Sequence, residues 1–367
     1  MKYVDEYRDP DLCLRLADEI RRTVTEPRTI MEVCGGQTHG LLCHGIDEQL
    51  EGAVRLIHGP GCPVCVTPTE EIDFAIDVAG RPDVILTSFG DMLRVPGSRE
   101  SLLQARARGG DVRLVYSPLD AVAIARDTPD RQVVFFAVGF ETTTPATALA
   151  VQQAHALGLD NFSLLVAHVR VLPAMEAIMQ SDDCAVQGFL AAGHVCTVDG
   201  FECYGEFVQR FGVPVVVTGF EPVDLLTGIR ECVRQIESGS PQVTNCYERS
   251  VRADGNQHAR ILVADTYEVC DRPWRGLGVI PGGGLRLQGA WSKYDATQRF
   301  PRHDLPVVAP VRCRSGEVLI GRIKPTDCEC FGTECTPQMP LGAPMVSSEG
   351  ACAAYFRYGR SPTPTAT

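Results

Sequence analysis

Residues 132–168 read QVVFFAVGFETTTPATALAVQQAHALGLDNFSLLVAH, and this stretch decides the fold class. Its two ends, Gln132–Val138 and Phe162–His168, are almost entirely apolar and rich in β-branched and aromatic residues, as strands are when helices cover both faces of a sheet. Between them lies a longer helical pattern, in which Pro145 suits the first turn of a helix. The order strand, helix, strand predicts a parallel βαβ unit.

The same alternation extends from about residue 50 to residue 240. We predict further strands at Ala53–His58, Asp83–Ser88, Val112–Tyr116, Val186–Leu190 and Val213–Thr218. The predicted fold class is α/β, with two parallel-sheet lobes around a cleft, because the carboxyl ends of parallel strands line a ligand crevice. We expect one α/β domain over residues 1–127 and a second over residues 128–242.

The character of the sequence changes after Val243. Strand and helix patterns fade, Gly and Pro accumulate, and cysteines recur at wide intervals. We expect a third, loop-rich domain over residues 243–360, whose small core is supported by a metal centre. Residues 361–367 are expected to form a disordered tail.

Composition and charge narrow the class of protein. The 367 residues carry 34 Lys+Arg against 46 Asp+Glu, a net charge of -12, which argues against nucleic acid as a partner. The first residues lack the apolar run of a signal peptide, and no window approaches the ~18–20 apolar residues of a membrane span. We therefore expect a soluble, cytoplasmic protein without a membrane partner. Thiols stay reduced in that compartment, so the 16 cysteines indicate metal binding or redox chemistry rather than structural disulfides.

Two cysteine motifs lie near predicted strand ends. In CGGQTH, residues 34–39, paired glycines allow a tight turn that leaves Cys34 at its edge and His39 five residues on. A thiolate and an imidazole so close suit a transition metal or an activated nucleophile, although a plain Gly-Gly turn with a buried cysteine fits as well. In GPGCPVC, residues 59–65, Cys62 and Cys65 precede a helix start, where the helix dipole favours thiolates. This pair is predicted to be a redox dithiol or half of a metal site.

A third set of cysteines lies in the loop-rich region. Its members are Cys313, Cys328, Cys335 and Cys352, with Cys330 as a substitute for Cys328. Four thiolates hold either zinc or a [4Fe–4S] cluster, and the wide single spacings favour iron–sulfur over the paired spacings of zinc ribbons. His194, in GHV after a predicted strand, could reach the cleft, but a lone histidine is more often structural. Phosphate-loop, dinucleotide and nucleophile-elbow motifs are absent from the sequence.

Five motifs together resemble the HypD family of [NiFe]-hydrogenase maturation factors. They are CGGQTH at 34–39, GPGCPVC at 59–65, GFETT at 139–143, GHV at 193–195 and SSEGACAA at 347–354. The resemblance extends from about residue 25 to residue 360. It implies two α/β domains around a cleft plus a [4Fe–4S] domain, acting as the scaffold on which an Fe(CN)2CO moiety is assembled.

The resemblance also implies roles and partners. Cys34 would hold the iron jointly with the small partner HypC in a stable complex, while HypE would transiently deliver cyanide made upstream with HypF. Cys62 and Cys65 would exchange electrons with the cluster, and their thiols are further candidate iron ligands. His39 is expected to tune or position the iron at Cys34.

Two other functions remain open from the sequence. The first is an iron–sulfur-dependent disulfide reductase that uses Cys62 and Cys65 on a protein substrate. The second is a binding module stapled by zinc.

Overall fold

The computed structural model describes residues 5–302 and 312–359. Its first elements in chain order are α1 (Pro10–Thr23), β1 (Arg28–Glu32), α2 (Gly35–Cys43), α3 (Ile46–Gln49), β2 (Val54–His58), α4 (Pro63–Val66), α5 (Thr69–Ala79), β3 (Val84–Ser88), α6 (Leu102–Ala107), β4 (Val112–Leu114), α7 (Pro118–Asp127), β5 (Gln132–Gly139), α8 (Thr144–Ala156), β6 (Phe162–His168) and α9 (Val171–Met179). The remaining elements are β7 (Gly188–Ala192), α10 (Gly193–Asp199), α11 (Tyr204–Phe211), β8 (Val215–Thr218), α12 (Pro222–Ser238), β9 (Val243–Asn245), α13 (Gln257–Thr266), β10 (Tyr267–Trp274), β11 (Gly278–Leu287), α14 (Ala296–Arg299), α15 (Ser315–Leu319) and α16 (Ala351–Tyr358).

Two parallel sheets form the two lobes. The first has the order β2-β1-β7-β8-β9 and the second the order β4-β3-β5-β6, and every neighbouring pair in both sheets is parallel. The α/β class predicted from the sequence is therefore confirmed. The sequences of β5 and β6 are apolar because these strands are buried. Strand β6 is buried throughout, and β5 is buried from its second residue onward.

The chain crosses between the lobes twice. It builds one edge of the first sheet with β1 and β2, forms the whole second sheet with β3 to β6, and returns to the first sheet at β7. The sheets thus do not divide at residue 127, because β3 and β4 lie before that position and β5 and β6 after it. The expected division into domains at residues 127 and 242 stays a prediction.

The C-terminal region differs from the two lobes in its secondary structure. Strands β10 and β11 form an antiparallel hairpin, and residues 312–359 contain mainly turns and short helices. The final helix α16 packs against α2, where the ring of Tyr358 meets His39 edge-on with 5.1 Å between centroids. The predicted tail over residues 361–367 lies outside the described residues. Within the described ranges, no helix combines the length and apolar character needed to cross a bilayer.

Candidate thiolate site and cysteine pocket

Cys34 and His194 meet where two neighbouring strands end. Strands β1 and β7 are parallel partners, with Glu32 opposite Leu190, so the residues that follow each strand emerge at the same edge of the sheet. Cys34 then occupies the position before α2, and His194 lies in the first turn of α10. The sulfur of Cys34 lies 3.7 Å from Nδ1 of His194, and Phe220 stacks on the imidazole ring with 5.2 Å between centroids.

The loop that carries the cysteine pair packs directly on Cys34. The backbone N–H of Gly35 donates a hydrogen bond to the carbonyl of Gly61 at 3.2 Å. A Cβ atom on Gly61 would stand 2.2 Å from the backbone nitrogen of Cys34, so only glycine allows this approach. Cys62 follows at once and forms a disulfide with Cys65, and both residues are buried. The predicted redox pair and the predicted metal-binding thiol therefore occupy one site.

The environment of Cys34 favours the neutral thiol until a cation replaces its proton. Burial raises the pKa of Cys34 to about 12, and the carboxylates of Glu349 and Glu32 act in the same direction. The backbone N–H groups of Gln37 and Gly36 oppose this shift. Since a metal binds the thiolate, binding here must release a proton.

Glu349 belongs to the motif at 347–354, and its backbone crosses the start of α2. A Cβ on Gly35 would stand 2.5 Å from the carbonyl oxygen of Glu349, so this glycine also allows a close approach. Burial raises the pKa of the Glu349 carboxyl, with a further contribution from Asp91 of the second lobe. The Cys34 site is thus bordered by the first sheet, the C-terminal region and the second lobe.

A buried hydrogen-bond network supports the strand ends beneath Cys34. Oε1 of Glu32 accepts from Thr38 at 2.6 Å and lies 2.5 Å from Nδ1 of His58. Nε2 of the same histidine lies 3.0 Å from the hydroxyl of Tyr355 in α16. Glu32 is fully buried, so these contacts fix β1, β2, α2 and α16 relative to one another.

His39 contacts the C-terminal helix α16, and its expected role at Cys34 stays a prediction. Its Nε2 lies 3.5 Å from the hydroxyl of Tyr358, at the contact between α2 and α16. The imidazole beside the thiol belongs to His194 instead. The sequence signals for His194 are its position just after a predicted strand and its place in the GHV motif at 193–195. Neither signal reveals that this strand neighbours β1.

Five cysteines line one apolar pocket in the C-terminal region. They are Cys313, Cys328, Cys330, Cys335 and Cys352, and the pocket also contains Val318, Phe331, Leu341 and Met345. Burial raises the pKa of Cys352 well above its ordinary value, and the neighbouring Cys313, Cys335 and Cys328 add to the shift. The sulfur of Cys330 lies 3.8 Å from the carbonyl of Arg312.

The thiols of this pocket are candidate ligands for a [4Fe–4S] cluster. Such a cluster takes four cysteines, each on a different iron, and the lining of this pocket is otherwise largely apolar. Throughout residues 5–302 and 312–359, no three His, Cys, Asp or Glu side chains are grouped so that they could hold one metal ion. Cys313, Cys328, Cys335 and Cys352 are the four thiols that influence one another at Cys352, whereas Cys330 is directed to a carbonyl.

Arg275 lies between the cysteine pair and the cysteine pocket. Its backbone N–H donates to the carbonyl of Val66, directly after Cys65, and its Nε donates to the carbonyl of Thr67, the next residue. The pKa of this guanidinium is lowered by burial, a shift that Cys313, among other groups, opposes. The turn between β10 and β11 therefore connects the two cysteine sets.

Comparison with known proteins covers nearly the whole chain. Residues 11–359 match the family model HypD, described as the hydrogenase formation hypA family. The chain belongs to the HypD family. It is 49% identical to hydrogenase maturation factor HypD2 of Bradyrhizobium diazoefficiens over 98% of this chain and 97% of that protein. It is 48% identical to HypD of Rhodobacter capsulatus and 45% identical to HypD of Escherichia coli K12, in both cases over 98% of each chain.

The resemblance drawn from the five motifs is thereby confirmed at the level of the HypD family. The matched residues include Cys34, the pair at 62 and 65, and all five cysteines of the C-terminal pocket. The relatives are named as hydrogenase maturation factors, which supports the same general role for this HypD-family chain.

Proposed function

We propose that this HypD-family protein is a cytoplasmic scaffold and redox component on which the Fe(CN)2CO moiety of a [NiFe]-hydrogenase is assembled. The observation that carries the proposal is the junction of a buried Cys34 thiol, an imidazole 3.7 Å away and the Cys62–Cys65 pair. A soft thiolate is the protein ligand that suits iron carrying cyanide and CO. Family membership supplies the hydrogenase context.

Cys34 would anchor the iron cargo after losing its proton. The pKa of its thiol is raised to about 12, so the thiolate forms only when a cation takes the place of the proton. Burial lowers the pKa of His194, which keeps its imidazole neutral, and both ring nitrogens lie within 3.8 Å of the sulfur, where the ring orients the thiol and the proton leaves to solvent on metal binding. His194 would therefore take the positioning role at Cys34 that the CGGQTH motif predicts for His39.

Cys62 and Cys65 would supply electrons next to the cargo. Oxidation of the dithiol to the disulfide forms one S–S bond and releases two electrons and two protons. The disulfide in the structure corresponds to the oxidised end of this cycle. In that form neither sulfur is a thiolate, so iron ligation by this pair is restricted to its reduced form.

The C-terminal pocket would hold a [4Fe–4S] cluster through Cys313, Cys328, Cys335 and Cys352. When bound, such a cluster supplies one-electron transfer. The apolar side chains around the four thiols would exclude water from the site. Arg275 fixes the segment after Cys65 against the turn that adjoins this region.

The proposed partners are inferred from membership of the HypD family. HypC would share the iron with Cys34 in a stable complex, and HypE would transiently deliver cyanide, with HypF upstream. The site is suited to a shared cargo because, within residues 5–302 and 312–359, Cys34 is the thiol beside His194 that is not part of a disulfide.

Hydrogenase maturation in a host that lacks its own family member tests the proposal. The wild-type chain should restore hydrogenase activity, and Cys34→Ser should not, because serine offers iron a hard and weakly acidic ligand. Cys43→Ser is the matched control, since Cys43 is exposed at the other end of the same helix. Full activity with Cys34→Ser would overturn the role of Cys34.

A disulfide reductase is the second candidate, and the formed Cys62–Cys65 disulfide is the observation in its favour. Multiple turnovers of a protein disulfide with a chemical electron donor would support the reductase. A stable complex with a small cysteine-bearing protein, without such turnover, would support the scaffold.

A further inference from the structure

A second cavity, of about 400 Å³, lies between the two lobes. Glu141 enters it from the end of β5, Arg170 from the start of α9, Asp199 from the end of α10 and Arg260 from α13. Cys34, His194 and the cysteine pair are not among its lining residues, so this cavity is distinct from the thiolate site. The cavity is lined by Glu141 of the GFETT motif at 139–143, and the proposed scaffold role does not use this motif.

Glu141 is the incompletely bonded group of this cavity. The residue is 8% exposed, and its Oε1 accepts the backbone N–H of Val171 at 2.9 Å. Its Oε2 has no hydrogen-bond partner among the described residues. Buried carboxyl oxygens are ordinarily bonded because leaving one unpaired is unfavourable. A ligand atom in the cavity is the natural partner for this oxygen.

Two arginines provide positive charge at the same cavity. Arg170 donates through Nη1 to the carbonyl of Gly282 at 3.0 Å, and Arg260 donates through Nη1 to the carbonyl of Asp254 at 2.8 Å. Glu141 and Asp199 line the same space, where the charge of Arg170 opposes the rise in the pKa of both carboxyls and the charge of Arg260 opposes the rise in the pKa of Asp199. A guanidinium with uncommitted N–H groups is suited to bind carboxylate or phosphate oxygens.

We propose that this cavity binds a small organic anion that carries carboxylate or phosphate groups. Arg170 and Arg260 hold the anionic groups, Oε2 of Glu141 makes the third polar contact, and Leu172, Val263 and Leu285 cover the carbon skeleton. The volume lies within the range of about 300–1,000 Å³ that is common for small-molecule sites. The site goes beyond the proposed scaffold role because it lies apart from the iron cargo.

Proton binding at Glu141 gives the site a characteristic pH dependence. Burial raises the pKa of Glu141 to about 7, and Asp199 adds to the shift. Below that pH the protonated oxygen donates to an anion, and above it the carboxylate repels the anion, so affinity falls as pH rises. Burial raises the pKa of Cys203 to about 11 and also raises the pKa of Tyr204 and Tyr267, so these neighbours stay neutral over the same range. Burial raises the pKa of Asp199 as well, which acts in the same direction as Glu141.

Calorimetric titration of the anaerobically purified full-length protein tests the site, with citrate and glycerol 3-phosphate as separate probes. We expect saturable binding of at least one probe at about pH 6 and weaker binding at about pH 8. The stronger probe identifies the preferred group, carboxylate or phosphate. Absence of saturable heat with both probes at millimolar concentration would overturn the proposal.

Variants assign the binding to this cavity. Arg170→Gln should lower the affinity for the preferred probe about tenfold or more, because a charge-assisted hydrogen bond to the anion is lost. Arg260→Gln should act in the same way if the first variant folds poorly. Glu141→Gln should reduce the loss of affinity between about pH 6 and pH 8, and the part that remains is expected from Asp199. The control is Arg230→Gln, because Arg230 lies in α12 and pairs with Glu19 outside the cavity. If Arg230→Gln and both arginine variants of the cavity bound the probe with equal affinity, the assignment to this cavity would be contradicted.

Discussion

At the residue scale, the character of the Cys34 thiol depends on the side chains around it. His194 is the one imidazole beside its sulfur among the described residues, and Phe220 holds that ring by stacking. Burial lowers the pKa of His194, so the neutral ring is favoured, with one nitrogen as a hydrogen-bond donor and the other as an acceptor. His194 therefore offers Cys34 a hydrogen-bond partner rather than a fixed countercharge.

Replacing His194 by glutamine should weaken iron retention at Cys34 by about 10–100-fold, the range found for groups that orient metal ligands. The measurement is iron content after anaerobic purification, followed by its loss to a chelator over time. His155→Gln is the matched control because His155 lies at the end of α8 against Trp291. Equal iron loss from the two variants would show that His194 has no part in holding the cargo.

Cys328 and Cys330 differ in their surroundings, although the sequence does not separate them. Cys328 contributes to the raised pKa of Cys352, whereas the sulfur of Cys330 lies at the carbonyl of Arg312. We predict that Cys328→Ser bleaches the visible absorption of the anaerobically purified protein and that Cys330→Ser retains it. The reverse result would exchange the two residues in the proposed ligand set.

At the element scale, the sequence predicts the strands but not their neighbours. The seven strands predicted between residues 50 and 240 lie within two residues of strands in the structure, because apolar β-branched runs are a local property. The order in which strands join is not local. Strand β7 joins β1 across about 150 residues of chain, and this pairing brings His194 to Cys34.

The close approach at Gly61 is also an element-scale property. A Cβ at this position would overlap the backbone of Cys34, so Gly61→Ala should displace the loop with Cys62 and destabilise the protein by about 2 kcal/mol or more. Gly205→Ala is the control, since nothing lies within 4 Å of a Cβ at that helical position, and it should stabilise by about 0.5–1 kcal/mol. Denaturant unfolding measures both, and a Gly61→Ala protein as stable as wild type would contradict the packing.

At the scale of the whole molecule, α16 links the cysteine pocket to the Cys34 site. Cys352 lies in its first turn, and Tyr355 and Tyr358 contact His58 and His39 below the thiolate site. We therefore expect a change in the pocket to reach α2 through this helix.

Loss of the proposed cluster should loosen both helices. After removal of iron by chelation, or in Cys352→Ser, we expect faster amide hydrogen exchange over residues 351–358 and 35–43. Residues 144–156 of α8 in the other lobe serve as the internal reference. Unchanged exchange in α2 would show that the two sites are mechanically independent.

The central claim is that Cys34 carries an iron bearing cyanide and CO. Infrared spectroscopy of the anaerobically purified protein, together with its co-purifying small partner, tests this claim most directly. The account predicts cyanide and CO stretching bands in the wild-type complex and their absence in Cys34→Ser, with the visible absorption of the cluster unchanged. Bands that persist in Cys34→Ser, or that never occur in the wild-type complex, would contradict it.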